Sequence, residues 1–326
     1  MINRRAFVRV AGAVLAVTSL KVPAQGSPSV RRVGVLLQTP LSNSPALLGL
    51  EPGLRELGHA VGTAVVLEAR SSNGNPRELP ALAEALVGLG VVAIVAVGPA
   101  AVGAALHATR TIPIVAIDLE TDPVVSGWVT SLARPGANLT GLFLDQPAVA
   151  GKWLDLLQEA APGVRKVGVL WDTTTGSTQA EAAKQAARRF AIELNLIGVH
   201  DGGELKRELE GARLQGVEAL MMLSSPVIFA SSAPIAEFTK RRRLPGISPF
   251  RPYPEAGGLM SYGPELPYFF RRSAIYVDKI LKGARADELP IEQPTRFGFV
   301  INLSAAKALG LTLSQSMLLR ADEVIK

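Results

Sequence analysis

A cluster of polar residues at the end of an apolar segment is the part of the sequence best suited to chemistry. Residues 112–118 read IPIVAID, a β-branched run that predicts a buried strand ending at Asp118. Glu120 and Asp122 follow directly, and Pro123 is typical of a helix start. Because open α/β sheets bind ligands at the carboxyl ends of their strands, we expect this cluster to form one wall of a binding site.

The two aspartates of this cluster have different expected roles. Asp118 ends a buried strand, where a carboxylate needs solvent or a partner, so we expect it to face a ligand. Asp122 precedes a proline, which favours a helix cap over a ligand contact.

Other predicted strands end in residues that suit an organic ligand. Gly98 and Pro99 precede a helical run at 100–108, whose first N–H groups can hold a carboxylate, although the same pair can simply make a tight turn. The predicted ligand-binding residues of the first lobe are Gln38, Thr39, Gly98, Pro99, Ala100 and Asp118.

The second half supplies aromatic and charged candidates. Trp171 and Tyr253 offer flat rings for stacking, and Arg251 can clamp an anion. The alternatives are a core position for Trp171 and a solvated loop charge for Arg251. The predicted ligand-binding residues of the second lobe are Trp171, Asp172, Thr173, Ser224, Ser225, Phe250, Arg251 and Tyr253.

The sequence offers little for catalysis. His59, His107 and His200 fall in separate predicted units, and the chain has no cysteine. We therefore predict no catalytic residues, no metal site and no cofactor. The basic run at 240–243 ends a predicted helix, where cations are favoured, so a nucleic-acid partner is not expected.

The elements that must position these residues form a repeat. Residues 31–39 (RRVGVLLQT) align without a gap with residues 165–173 (RKVGVLWDT). Helical segments alternate with strands after each copy, which is typical of parallel sheets built from right-handed crossovers. We predict an α/β chain with two doubly wound, Rossmann-like lobes joined by three hinge crossings, near 141, 251–257 and 290–294.

The amino terminus predicts export. Arg4, Arg5 and Arg9 precede an apolar run at 10–20 and small residues up to Ala24. This pattern is typical of a cleaved signal, either twin-arginine or general secretory. The segment 1–24 holds four basic and no acidic residues, so its removal lowers the formal net charge from +6 to +2. We therefore expect a periplasmic location.

Several strings, taken in order, resemble a known family. They are IPIV at 112–115, TDPV at 121–124, RPGANLTG at 134–141, GGLMSYGP at 257–264, YVDKILKG at 276–283 and PIEQPT at 290–295. The chain resembles substrate-binding proteins of ABC importers, in the family related to tryptophan and tyrosine binding proteins with the type I periplasmic binding-protein fold. The resemblance implies a ligand cleft between two lobes that close like a hinge, and permease subunits as partners.

The chain departs from the amino-acid-binding members of that family at two strand ends. It has Gly98-Pro99-Ala100 where they place Thr-Pro-Ala, and Ser225-Pro226 where they often carry Asp-Asn. These departures count against an amino-acid ligand, and the expected ligand is a small organic molecule such as an aromatic amino acid or an aromatic acid.

These observations predict a monomeric binding protein that captures a small organic ligand for an ABC importer. The alternatives are a periplasmic sensing domain for a membrane sensor, or an exported α/β hydrolase or lyase using Asp118 or Asp172. The predicted division is an export signal at 1–24, lobe I at 31–141 plus 257–290, and lobe II at 142–256 plus 291–326.

Overall fold

The computed structural model describes residues 30–42, 44–200, 203–205, 207–209 and 216–326, with the backbone alone for residues 146 and 147. The predicted export signal lies outside the described residues. Within these ranges no helix has both the length and the apolar character needed to cross a membrane.

The first sheet contains five parallel strands connected by helices. Its order is β2-β1-β3-β4-β5, with every neighbouring pair parallel. The strands are β1 (Arg31–Leu37), β2 (Val65–Ser71), β3 (Ala93–Val97), β4 (Ile114–Asp118) and β5 (Leu139–Phe143), and the helices are α1 (Pro45–Glu56), α2 (Leu79–Gly88) and α3 (Pro99–Ala108).

The second sheet contains seven strands. They are β6 (Lys166–Asp172), β7 (Glu193–Val199), β8 (Ala219–Met222), β9 (Gly246–Ser248), β10 (Met260–Pro264), β11 (Phe297–Asn302) and β12 (Glu323–Ile325). The order is β7-β6-β8-β9-β10-β11-β12, and only the β10–β11 pair is antiparallel.

The remaining helices follow the strands of the second half. They are α4 (Gln146–Ala160), α5 (Thr178–Phe190), α6 (Pro226–Ala230), α7 (Ser232–Arg242), α8 (Pro252–Glu255), α9 (Leu266–Leu281), α10 (Leu303–Leu309) and α11 (Gln315–Arg320). Of these, α9 packs against α1 and against β3, β4 and β5. We call the first sheet with α1–α3 and α9 lobe I, and the second sheet with the other helices lobe II.

The predicted repeat is confirmed. The two aligned strings form β1 and β6, which occupy the same place in their sheets, with β2 and β3 beside β1 and with β7 and β8 beside β6. The parallel strands β2-β1-β3-β4-β5 and β7-β6-β8-β9-β10 therefore follow the same order in the two doubly wound lobes, as alternating strands and helices predict, and β11 and β12 extend the second sheet.

One crossing is not where the sequence predicts it. The segment 260–264, assigned to lobe I, is β10 and pairs with β9 and β11 in the second sheet. The second crossing therefore lies between β10 and α9, and not near 251–257. A buried apolar strand fits either sheet equally well, so its sequence does not specify the neighbours that it pairs with.

The other two crossings lie close to their predicted positions. The first follows β5, and the third follows Glu292, which pairs with Leu142 of β5 before the chain enters β11. Arg272 of α9 donates two hydrogen bonds to the Glu292 carboxylate, at 2.6 and 2.9 Å. This bidentate pair fixes the third crossing to lobe I.

Two glycines let α1 approach α9 closely. A Cβ at Gly49 would lie 2.5 Å from the Cβ of Phe270, and one at Gly53 would lie 2.8 Å from that of Ala274. The close packing holds α9, which comes from lobe II in the chain, firmly on lobe I.

The helix predicted at Pro123 does not form. Residues 123–127 make a turn instead, although Asp122 accepts the expected hydrogen bonds from the amides of Val124 and Val125, at 2.8 and 3.1 Å. The interpretation of Asp122 as a cap for local N–H groups therefore holds without a helix behind it.

Candidate functional site

The two lobes enclose a small cavity at the carboxyl ends of their strands. Its volume is about 70 Å³, well below the roughly 300–1,000 Å³ typical of ligand pockets. The lobe I walls are Leu37, Thr39, Ser44, Pro45, Ala46, Val97, Gly98, Ile117, Leu119, Glu120, Leu266 and Phe270, and the lobe II walls are Ser225, Pro226, Phe229 and Phe250. A ligand of ordinary size therefore enters only when the lobes move apart.

Asp118 closes the turn that follows β4. Its carboxylate accepts hydrogen bonds from the amides of Glu120 (2.8 Å) and Thr121 (3.0 Å) and from the Thr121 hydroxyl (2.6 Å). The side chain is fully buried and does not line the cavity. Asp118 therefore shapes the wall of the site, and the expectation that it faces the ligand is wrong for this arrangement of the lobes.

Glu120 is the acid that the turn presents to the cavity. One carboxylate oxygen accepts a 2.6 Å hydrogen bond from Ser224 Oγ of lobe II, and the other accepts a 3.1 Å bond from the amide of Leu119. The residue is 4% exposed. The Glu120–Ser224 bond joins the two lobes directly across the cleft.

The two buried carboxyl groups influence each other. Burial raises the pKa of Glu120 well above its ordinary value, and the charge of Asp118 raises it further, against a lowering by the Ser224 hydrogen bond. Burial also raises the pKa of Asp118, against lowering by its hydrogen bonds from Thr121 and Glu120. A proton or a cationic group at Glu120 is therefore favoured while the lobes are closed.

Ser224 is positioned by a residue that the sequence does not single out. Gln179 of α5 donates to the Ser224 carbonyl at 2.8 Å, and its side-chain oxygen accepts from the Ser224 amide at 2.7 Å. Gln179 is 1% exposed. Its place as the second residue of an alanine-rich helix is the only sequence signal for this role, and it is weak.

Aromatic rings form part of the cavity wall. Phe229 and Phe250 meet edge to face with their centroids 5.1 Å apart, and Phe270 of α9 lines the cavity from lobe I. Such rings suit a flat apolar ligand group. Phe250 lies at the site, as the sequence predicts.

Four of the predicted residues line the cavity, namely Thr39, Gly98, Ser225 and Phe250. Gly98 starts α3 with φ +82°, and the Oγ of Ser225 accepts from the amide of Ile228 at 3.0 Å, which caps α6. Direct ligand contact by these four residues remains a prediction.

Six other predicted residues do not line the cavity. Gln38 and Pro99 are adjacent in the chain to residues that do, and Ala100 is two positions from Gly98. Trp171 donates from its indole N–H to the Gly176 carbonyl at 3.0 Å, and Thr173 bonds His200 at 2.7 Å. Asp172 accepts from the amide and hydroxyl of Thr174, at 2.9 and 2.6 Å.

Tyr253 is a core residue, so the stacking hypothesis is wrong for it. The side chain is 1% exposed, and its hydroxyl lies 3.0 Å from Thr239 Oγ1. Its ring fills the space over Gly246 and Gly258, where a Cβ would clash with it. Burial raises the pKa of Tyr253 to about 12.

Arg251 also lies away from the cavity. It lines an adjoining groove of about 650 Å³ that shares Phe229 and Phe250 with the cavity. There the guanidinium pairs with Glu255 at 2.6 Å and with Glu323 at 2.8 Å, while 56% of the side chain stays exposed. The alternative of a solvated loop charge describes Arg251 better than the anion clamp.

The start of α1 is a part of the cavity that the sequence analysis does not predict. Ser44, Pro45 and Ala46 line the cavity beside Thr39. The available signal is a serine directly before a proline that opens an apolar run, which is typical of a helix start.

The described ranges contain no group of three or more His, Cys, Asp or Glu side chains that could hold a metal ion. His59 bonds Asp278 of α9 at 2.8 Å, on the side of lobe I where α1 and α9 pack. The arrangement at the cavity is therefore one of apolar walls, one acid and hydroxyl groups.

Comparison with known proteins agrees with this architecture. The family model described as "ABC transporter substrate binding protein" matches residues 33–325. A tyrosine-binding protein of Clostridioides difficile is 22% identical over 293 residues, which cover 87% of this chain and 82% of that protein.

Two solved structures share the fold closely. A conserved domain protein of Vibrio cholerae has a TM-score of 0.84 at 24% identity, over 90% of this chain and 99% of that one. An ABC domain of Streptococcus pneumonia, in complex with L-Trp, has a TM-score of 0.84 at 23% identity, over 91% and 100%. The chain thus belongs to the ABC transporter substrate-binding protein family, and it is a type I periplasmic binding protein and not an enzyme.

Proposed function

We propose that this protein captures a small amphiphilic molecule with an aromatic group, with aromatic amino acids as the first candidates, and delivers it to an ABC importer. The observation that carries the proposal is the cleft itself. Its walls are apolar and partly aromatic, and Glu120 is the one ionisable side chain among the described residues that line it. Such a site suits a flat apolar group with one adjoining hydrogen-bond donor.

Glu120 is the expected partner of the ligand's amino group. A buried carboxylate without a cation is unfavourable, and burial has raised the pKa of Glu120. An ammonium group would compensate its charge in the closed cleft. This role favours an aromatic amino acid over an aromatic acid that lacks an amine.

The names of similar proteins support the same choice. One relative is named for tyrosine, and one solved structure holds L-Trp. L-Tyrosine and L-tryptophan are therefore the first ligands to measure.

Delivery to an importer and export are further parts of the proposal. Family membership supports an extracytoplasmic location, and the predicted signal at 1–24 supplies the route. Mass spectrometry of the exported chain should find Gln25 at its amino terminus. Uptake of labelled ligand should fall when the gene is deleted, whereas unchanged uptake with intact binding would favour a sensor.

Calorimetric titration of the purified chain tests the ligand class. We expect binding of L-tryptophan or L-tyrosine, and we expect Glu120→Gln to weaken it by about 10- to 100-fold, because a hydrogen bond to a charged group contributes about 1.5–3 kcal/mol. Indole-3-acetate and 4-hydroxyphenylacetate, which lack the amine, should lose far less affinity in the variant.

Glu51→Gln is the matched control. Glu51 is a partly exposed glutamate of α1 that pairs with Arg55 at 2.7 Å and does not line the cavity. The Glu51→Gln variant should bind each compound with the affinity of the wild type. If wild-type protein binds none of these aromatic compounds, the proposed ligand class is wrong.

A further inference from the structure

Ser44 carries a buried hydroxyl that has no hydrogen-bond partner among the described residues. The residue is 3% exposed and lines the cavity. Serine in front of a helix normally accepts a hydrogen bond from an amide of the first turn, yet Ser44 makes no such cap. A buried hydroxyl is normally satisfied, and because Ser44 also lines the cavity, its partner can come from a bound ligand.

The helix that follows Ser44 has unfilled donors at the same place. α1 has 12 residues, and Pro45 at its first position has no N–H. The Leu48 amide bonds the Ser44 carbonyl at 3.0 Å, which leaves the amides of Ala46 and Leu47 without acceptors inside the helix. The first turn contains no acidic residue, so nothing within it offsets the positive end of the helix dipole.

The cavity offers an anion few other places. None of the described residues that line it is a lysine or an arginine. α6 has only five residues, and Ser225 Oγ already accepts from its Ile228 amide. At α3, only Gly98 lines the cavity, while Pro99 and Ala100 do not.

We propose that Ser44 and the first turn of α1 hold the carboxylate of the ligand. The Ser44 hydroxyl and the amide of Ala46, two residues that line the cavity, would donate to it, as helix starts commonly do to anions. Glu120 lines the same cavity, so the ligand carries both an anionic and a cationic group. This inference rests on the proposed function and specifies the ligand as a zwitterion.

The experiment compares Ser44→Ala with the wild type by calorimetry, using L-tryptophan, L-tryptophan amide and tryptamine. The wild type should bind L-tryptophan at least about tenfold more tightly than the two compounds without a carboxylate. Ser44→Ala should lose about tenfold in affinity for L-tryptophan, as expected for one hydrogen bond to a charged group, and stay within about twofold for tryptamine. The same set with L-tyrosine, its amide and tyramine covers a preference for the phenol ring.

Ser72→Ala is the matched control. Ser72 is also a lobe I serine, 2% exposed, with an Oγ that has no partner among the described residues, but it does not line the cavity. It should leave the affinity for every compound unchanged. Ser44→Asp adds a second test, because its side chain would cap α1 and repel a carboxylate. This variant should melt at a higher temperature and no longer prefer L-tryptophan over tryptamine.

The outcomes separate the two proposals. If ligands bind but Ser44→Ala weakens L-tryptophan and tryptamine equally, the carboxylate site is wrong and the proposed function stands. The carboxylate site is also wrong, and the proposed function stands, if the wild type binds the amides or amines as tightly as L-tryptophan or L-tyrosine. If no compound of either set binds, the ligand class is wrong and the carboxylate site fails with it.

Discussion

Asp118 and Glu120 lie two residues apart and serve different purposes. Asp118 binds the amides and the hydroxyl that shape the turn, while Glu120 extends across the cleft to Ser224. The hydrogen bonds within the turn determine which carboxyl group faces the cavity. Substitution of Asp118 should therefore change the stability of the fold, whereas substitution of Glu120 should change the affinity for the ligand.

At this scale we predict that Asp118→Ala destabilises the fold. It removes the acceptor of three hydrogen bonds, and buried donors left unpaired each cost about 1–3 kcal/mol. Asp118→Asn keeps an oxygen for the two amides and should lose less than half as much. Urea denaturation of both variants measures the free energy of unfolding.

Asp122→Ala serves as the control on the same turn. Asp122 accepts from the amides of Val124 and Val125 on the surface, so its loss should cost only about 0.5–1 kcal/mol. If Asp118→Ala is as stable as the wild type but does not bind ligand, Asp118 contacts the ligand after all.

At the scale of elements, the site is built where strands end and helices start. β1, β3 and β4 from lobe I meet the loop after β8 and the start of α6 from lobe II. α9 packs closely on the middle of α1 at Gly49 and Gly53. Most cavity walls are therefore set by packing between elements that are distant in the chain.

Replacing a glycine of α3 by alanine should change the free energy of unfolding in opposite directions at the start of the helix and in its middle. Gly98 has φ +82° and ψ 159°, a region that other residues rarely adopt, so Gly98→Ala should lower the free energy of unfolding by about 1–3 kcal/mol. A Cβ there would be only 3.4 Å from Pro226 of lobe II. Thermal or urea denaturation checks the loss.

Gly103→Ala is the matched control within the same helix. A Cβ at Gly103 would meet no atom within 4 Å, so the change should raise the free energy of unfolding by about 0.5–1 kcal/mol. Equal stability changes in the two variants would show that the backbone at Gly98 is not strained for alanine.

For the whole molecule, the Glu120–Ser224 bond links closure to protonation. Burial raises the pKa of Glu120 in the closed cleft, and separation of the lobes would expose the carboxyl group to solvent. The closed form therefore binds the proton more tightly. Protonation of Glu120 therefore stabilises the closed form fully below the ordinary glutamate pKa of 4.5. This stabilisation is lost as the pH rises through the raised pKa of Glu120.

Small-angle X-ray scattering of the ligand-free chain tests this coupling. The radius of gyration of the wild type should increase between about pH 4 and pH 8, as the unpaired carboxylate opens the cleft. Glu120→Gln cannot ionise and should stay equally compact at both values. If the radius of gyration of both proteins increases equally with pH, a different group controls closure.

The sequence alone determined the repeat, the two doubly wound lobes and the cap role of Asp122. These features depend on local patterns, since strand runs, helix stops and capping residues act within a few positions of the chain. The same reasoning placed Thr39, Gly98, Ser225 and Phe250 beside the cavity.

Only the tertiary structure decided which sheet β10 joins, that Tyr253 is core, that Glu120 rather than Asp118 lines the cavity, and that Ser44 lies there. Each depends on contacts between distant residues. Glu120 and Ser224 are 104 positions apart, and Tyr253 fits against glycines that lack any pattern of their own. Side-chain direction and strand partners are set by such packing, which leaves no local signal in the sequence.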